Sequence, residues 1–368
     1  MRQARSHQFD PNDPPWLHCI SRCVRRAFLC GEGLEHRKLW LEKRLRLLSR
    51  CFAVDVAAYA IMSNHLHVVL HADPDRAKHW DDATVATAWL RIRDNYDADE
   101  PGAPMPDPAH IQRLCENKTF IAQWRERLGS VSWFMKSLKE PLSRMANAED
   151  DCTGAFWEGR FTSVPLLDEA ALITCMAYVD LNPIRAKAAE SLQKSAFTSI
   201  AARLRSVEEG GAGSHSRNIG ETEVQAAANF HEPLSREPQG GEPLSSEALQ
   251  PSSVDASWLL AIEDATAMHE CATGWTLAQY LELVDITGRC VRGDKRGVID
   301  ARLPGILQQL SPDFDAETWL HTVARHGGLR GTALGNWKAM AQEATRRGLQ
   351  WIQSRCRLFA RPKVSEAS

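Results

Sequence analysis

Two apolar runs, VDVAAYAIM (54–62) and HLHVVLHA (65–72), are separated only by Ser63 and Asn64. Strand-forming segments joined by two turn-tolerant residues leave no room for a crossover, so they must pair antiparallel as a hairpin. Side chains two apart on a strand share a face. His65 and His67 therefore sit together on one face, with Leu66, Val68 and Leu70 on the other. The leucines and valine read as the packed side, which leaves the two imidazoles on the exposed side.

The flanking pattern fits around this hairpin. WLHCISRCV (16–24) alternates apolar and polar residues as a strand does, and 34–52 places Leu34, Leu41, Leu45 and Leu48 near a 3.6-residue period, predicting an amphipathic helix. Helical segments follow around 83–94, 110–128 and 130–148, the first two parted by the Pro-rich stretch 97–108. AFWEGRFTSVPLL (155–167) reads as the last strand. Asp168 is placed to cap a helix over EAALITCMAYVDL that must end near Pro183. The order β-α-β-β-α-β-α predicts an α+β chain, specifically a ferredoxin-like (split βαβ) antiparallel sheet with a helical insertion and a trailing helix.

With 368 residues the chain has room for about two domains. Residues 206–255 are rich in Gly, Pro, Ser and Glu, with nine acidic and two basic residues, and read as a flexible acidic linker. This divides the chain into 1–205, the linker 206–255, and 256–368, whose three- and four-residue apolar spacing predicts an all-α domain. All candidate chemistry precedes the linker, so the site is expected to be self-contained within 1–205. A net charge of −3 excludes bulk attraction to nucleic acid, and any basic surface must be local. Residues 1–50, with eleven Lys and Arg against five Asp and Glu, are the basic part. No stretch approaches a membrane span or a signal-peptide core, so a cytoplasmic protein without a membrane partner is expected. Ten cysteines without a CxxC pair read as small buried hydrophobes rather than disulfides or structural zinc.

Neighbouring imidazoles on a rigid strand can chelate one divalent ion. The alternative for His65 and His67 is a pair of half-exposed surface histidines. In MAYVDLNPIRA, Tyr178 and Asn182 lie four residues apart, one helical turn, so phenol and carboxamide can face one point as a nucleophile and a third oxygen ligand. The alternative is a core aromatic and a helix-ending residue. Pro183 biases Asn182 away from helical geometry, so the alignment requires the helix to keep its last turn.

The blocks SNHLHVVL, MKSLKEPLSRMAN, GAFWEGRF and DEAALITCMAYVDLNPIRA, in this order over about residues 14–205, resemble the single-tyrosine HUH (His-hydrophobic-His) transposases, and within them the REP-associated branch. The resemblance implies His65 and His67 as metal ligands, Asn182 as the additional ligand, Tyr178 as nucleophile, and Mg²⁺ or Mn²⁺ as cofactor. It implies cleavage and rejoining of single-stranded DNA through a 5′-phosphotyrosine, near hairpins of palindromic repeats. One tyrosine breaks one strand at a time, and a homodimer is one arrangement that would supply two sites. Two other functions stay open: a DNA-binding protein whose site serves as scaffold, and a phosphodiesterase that uses water and dispenses with Tyr178.

Several cations are candidates for DNA contact. Arg22, Arg25 and Arg26 follow the first strand and could hold a single strand beside Trp16. Arg160 and Arg185 would meet phosphate if the site forms. Arg289, Arg292, Lys295 and Arg296 lie in a glycine-bounded stretch that reads equally as a solvated face. Tyr280 reads as core.

Overall fold

The computed structural model of the chain describes residues 9–10, 12–94, 106–212, 256–268, 274–291, 299–325, 329, 331–352 and 356–359. Its class is α+β. Strands β1 (Trp16–Arg22), β2 (Val54–Ile61), β3 (His65–Ala72) and β4 (Thr162–Leu166) form one antiparallel sheet in the order β2-β3-β1-β4. Helix α1 (Glu35–Cys51) carries the chain from β1 past β3 to β2. A helical stretch comprising α2 (Pro74–Lys78), α3 (Asp82–Asp94), α4 (Pro108–Glu116), α5 (Lys118–Leu128) and α6 (Val131–Glu149) carries it from β3 past β1 to β4. The single helix expected over 110–128 is two, because Asn117 leaves helical geometry and its side chain caps α5 by accepting from the Phe120 N–H at 3.1 Å.

Both faces of the sheet are covered. On one, Leu17, Cys19, Leu66, Val68 and Leu70 pack with Leu41, Leu45 and Leu48 of α1 and Phe134, Leu138 and Leu142 of α6. At roughly 1.5–3 kcal/mol per fully buried Leu or Phe, this layer outweighs the surface ion pairs. Half of the basic residues of α1 turn inward: Arg37, Arg44 and Arg46 are buried. Arg37 pairs with Glu149 at 2.9 Å and Asp150 at 2.5 Å, tying α1 to the end of α6. Arg44 has a more specific task. Pro141 lies inside α6 and cannot donate to the carbonyl of Ser137, and Arg44 Nε donates to that carbonyl instead at 3.2 Å, so the helix continues through the proline.

The strand expected from residue 155 begins only at Thr162. The chain turns before it through Gly159, at φ +147°, and Trp157 is buried with its indole N–H donated to the Lys139 carbonyl. After β4, Asp168 caps α7 (Glu169–Asp180) as expected, accepting from the Ala171 N–H at 2.7 Å. Every residue of α7 from Ala171 to Asp180 is buried. A helix that is buried all round needs cover on two sides. The sheet supplies one, where the small residues Ala57, Ala58 and Ala60 of β2, brought round by a bulge between Val56 and Ala58, join the cluster that includes α7.

The C-terminal part supplies the other. Its described helices include Ile262–Ala267, Leu277–Val291, Leu303–Leu310, Ala316–Ala324 and Trp337–Arg346. Among the described residues, Tyr280, Leu281, Val284, Trp319 and Val323 of these helices share one apolar cluster with Trp16, Val69, Val164 and α7. The Tyr280 hydroxyl donates to Asp180 at 2.6 Å, and the backbone of Leu334 pairs with Pro165 and Leu167 at the edge strand β4, 2.8 Å each. A Cβ on Gly288 would stand 3.1 Å from Leu181, so the approach there is close. The stretch read as linker begins later than residue 206, since α9 (Ser199–Ala212) runs into it, and 213–255 lie outside the described residues. Among the described residues no helix is long and apolar enough to cross a membrane.

Candidate functional site

The two-residue period places His65 and His67 on one face of β3, as the hairpin requires, opposite Arg22 and Ile20 of β1. That face is not open. It is the side covered by α7, and His67 retains only 2% exposure while His65 is half-buried. Tyr178, near the end of α7, is 3% exposed, with its ring centroid 6.0 Å from that of His67.

Asn182 reaches the same place despite Pro183. Helix α7 stops at Asp180 and Leu181 turns at φ −82°, ψ 0°, after which the short helix α8 (Asn182–Arg185) begins with Pro183 in its first turn, where a missing N–H is harmless. Arg185 N still donates to the Leu181 carbonyl at 3.0 Å, so the helical direction is kept. The Asn182 carboxamide lies 3.3 Å from His65 Nε2. Strand β3 and two helices more than 100 residues later thus bring His65, His67, Tyr178 and Asn182 together.

The imidazoles are held from behind. Asn64 donates its Nδ2–H to the Arg26 carbonyl at 3.1 Å, which leaves its Oδ1 to accept from His65 Nδ1 at 2.7 Å. His65 then presents the lone pair of Nε2 toward Asn182. The partner of His67 is a residue for which no role was expected: His18, fully buried on β1, whose Nε2 lies 2.8 Å from His67 Nδ1 with the rings 5.0 Å apart. Its one signal in the sequence is parity, since His18 shares a strand face with Ile20 and Arg22.

The candidate cations divide. Arg185 joins the site, its guanidinium 3.9 Å from the Tyr178 ring centroid, with further bonds to the Tyr178 and Arg325 carbonyls. Arg22 sits beside His65 on β1. Arg25 and Arg26 are exposed on the following turn at φ 52° and 56°. They do not stand beside an open Trp16, because Trp16 is core at 2% exposure. Arg160 is exposed on the turn into β4. Arg289 forms an i,i+4 ion pair with Asp285 at 2.7 Å. Arg292, Lys295 and Arg296 lie outside the described residues. Tyr280 is buried core, as expected.

Burial is the main reason that His18 is held at about 3, with Arg185 and Arg22 adding to it. His67 is pushed well below the ordinary imidazole range by burial, then by His18, His65, Arg185 and Arg22. Both are neutral in the fold at pH 7. An unfolded chain takes a proton on each near pH 6.5, so stability is full above that value and declines as the pH falls toward 3. For His18 alone the loss at pH 5 is roughly 2 kcal/mol. Urea unfolding at pH 7.5 and 5 should show a drop of at least this order, and His18→Gln should remove part of the slope. An unchanged slope in that variant would exclude His18 as its source.

Among the described residues no group of three or more His, Cys, Asp or Glu side chains is arranged to hold a metal ion. The donor set is of a different kind: two imidazoles and a carboxamide. It fits a divalent cation in one telling respect, since His67 Nε2 is buried and makes no hydrogen bond, an expensive arrangement unless a ligand engages that nitrogen. His65 Nε2 faces Asn182, and a half-turn of the carboxamide would exchange its Nδ2 for Oδ1. Compared with known proteins, the chain matches no family model, no curated protein and no solved structure.

Proposed function

We propose that this chain is a cation-dependent single-strand DNA transesterase of the single-tyrosine HUH type, related to the REP-associated branch, which cuts and rejoins DNA at repeat-derived hairpins. The observation that carries this reading is the convergence of His65, His67 and Asn182 beside Tyr178. The strand order β2-β3-β1-β4, with a helical crossover on each half, supports a ferredoxin-like arrangement of the sheet.

His65 and His67 through Nε2, and Asn182 through Oδ1, would hold Mg²⁺ or Mn²⁺, of which Mn²⁺ tolerates nitrogen ligands better. Such an ion, when bound, polarises a phosphoryl oxygen. The Tyr178 oxygen attacks phosphorus, the bond from phosphorus to the 3′ oxygen breaks, and the phenolic proton is balanced by the one that the departing 3′ oxygen gains. The phosphodiester is exchanged rather than hydrolysed, so a free 3′-hydroxyl can reverse the step without ATP. Arg185 clamps the ring and sets a permanent positive charge beside it. The test is incubation of labelled single strands with the full chain and Mn²⁺. A denaturant-resistant adduct through a 5′-phosphate is expected, with little from perfect duplex, whose stacking withholds the phosphate. No adduct, or a 3′-phosphotyrosine, would overturn the reading.

The turn after β1 supplies a surface for the strand. Arg25 and Arg26 hold left-handed conformations that cost of order 1–3 kcal/mol each, and Phe28 is 69% exposed. The turn is pinned to the His65 hairpin by Cys23 N to the Asn64 carbonyl, 2.8 Å, and Cys30 N to the Ser63 carbonyl, 2.9 Å. Phosphates over the two arginines and a base on Phe28 would lead a strand to the site. Phe28→Ala should weaken oligonucleotide binding by about 1–3 kcal/mol. Removing both arginines should lower the salt slope by about 1.4. Salt titrations that superimpose on wild type would exclude this path.

A further inference from the structure

We propose that His18 is a positioning residue for His67: by holding Nδ1 it turns Nε2, with its lone pair, toward the point shared with His65 and Asn182. The inference rests on the cation-binding reading of the site given above and concerns a residue to which that reading gives no task.

A fully buried imidazole on a core strand is costly unless both ring nitrogens are satisfied, and those of His18 are not. Its Nε2 meets His67 Nδ1 at 2.8 Å, while His18 Nδ1 and His67 Nε2 make no hydrogen bond. Each ring is neutral and carries one proton, so the pair has two arrangements. In the first, His67 donates its Nδ1–H to His18 Nε2, and His67 Nε2 keeps its lone pair. In the second, His18 donates from Nε2, and His67 Nε2 carries a hydrogen that blocks any cation. Only the first leaves a ligand, and His18 is the acceptor that makes it available.

The same logic appears independently at the other imidazole. His65 has Nδ1 engaged by Asn64, whose own amide is fixed by the Arg26 carbonyl, and its Nε2 faces Asn182. Two imidazoles on one strand, each held at Nδ1 by a different residue and each presenting Nε2, form a repeated design. Partners that fix the tautomer and orientation of a ligand imidazole typically contribute 10- to 100-fold in metal affinity. An apolar residue at position 18 would fill the same core volume without accepting a hydrogen bond, so space-filling alone does not require an imidazole there.

The experiment measures Mn²⁺ binding calorimetrically, without DNA, in the full chain and in His18→Gln and His18→Leu, with thermal unfolding to confirm that each variant folds. The glutamine oxygen can accept from His67 Nδ1 and the leucine cannot. Affinity 10- to 100-fold weaker in His18→Leu, restored to within a few-fold in His18→Gln, is the expected result. If folded His18→Leu binds as wild type, or if both variants weaken equally, the positioning role is wrong while the cation site stands. If the wild type binds no Mn²⁺, the cation reading falls and this inference with it. Should the leucine variant not fold, ¹⁵N shifts of His67 in the Mg²⁺-saturated wild type decide: protonated Nδ1 with unprotonated Nε2 is required, and the opposite tautomer overturns the proposal.

Discussion

Tyr178→Phe should bind single-stranded DNA and Mn²⁺ as the wild type does and yet form no covalent adduct. The change removes one oxygen and little else. The phenylalanine ring keeps the edge contacts with His18 and His67 and the cation–π contact with Arg185, so a stability change within about 1 kcal/mol is expected. Loss of a nucleophile removes a covalent step altogether, and in a well-studied hydrolase it costs on the order of 10⁶ in turnover. His67→Ala should also abolish cleavage, but by another route. It removes a proposed ligand and leaves His18 Nε2 buried without its partner, so Mn²⁺ affinity falls and stability drops by roughly 1–3 kcal/mol. The two variants separate chemistry from cation binding. Adduct assays, Mn²⁺ titration and thermal unfolding on both check this. Strand cleavage that persists in Tyr178→Phe would identify water as the nucleophile and make the tyrosine a packing residue.

The half of the site that depends on local rules was legible in the sequence. A period of two fixes which strand residues share a face, so the His65–His67 pair follows from a two-residue turn, and Asp168 follows from capping chemistry. Contacts between separate strands are not local. Parity says that His18 faces the same side as Arg22, but the register that brings it to His67 depends on β1 lying beside β3, which no property of residues 16–24 encodes. Charge misled in a different way. Residues 1–50 are the basic part of the chain, yet Arg37, Arg44 and Arg46 among them are buried, because composition cannot reveal acceptors elsewhere in the chain, such as the Ser137 carbonyl freed by Pro141. For α7 the signal was present and pointed further than strand and helix assignment: EAALITCMAYVDL is apolar on every side, so one sheet face could not satisfy it.

That uniform burial underlies the second large effect, which runs against a self-contained first half: a chain ending at Arg205 should neither unfold cooperatively nor form the adduct. Truncation there cuts α9 and removes the helices that cover α7. Leu181 and Ile184 lose the close approach of Gly288, and Trp16 and Val164 lose cluster partners that include Tyr280 and Trp319. Each large apolar side chain returned to water costs roughly 1.5–3 kcal/mol, and a handful of them is comparable to the ~5–15 kcal/mol that holds a domain together. The polar loss compounds this. Asp180 is fully buried two residues from Tyr178 and is satisfied by Ser199, the Ile200 N–H and the Tyr280 hydroxyl at 2.5, 2.9 and 2.6 Å. Burial pushes its carboxyl above the ordinary range even with those donors in place. Removing only the hydroxyl, by Tyr280→Phe, should cost about 1–3 kcal/mol while leaving the apolar cover intact. Near-UV circular dichroism, thermal unfolding and adduct formation on the truncated chain and on Tyr280→Phe distinguish the two losses. A truncated chain that melts cooperatively near the wild-type temperature and forms the adduct at the wild-type rate would show that the C-terminal helices are dispensable cover. If instead Tyr280→Phe lowers stability and the truncated chain fails to fold, the helix bearing Tyr178 is held in place by a part of the chain that carries none of the proposed site residues.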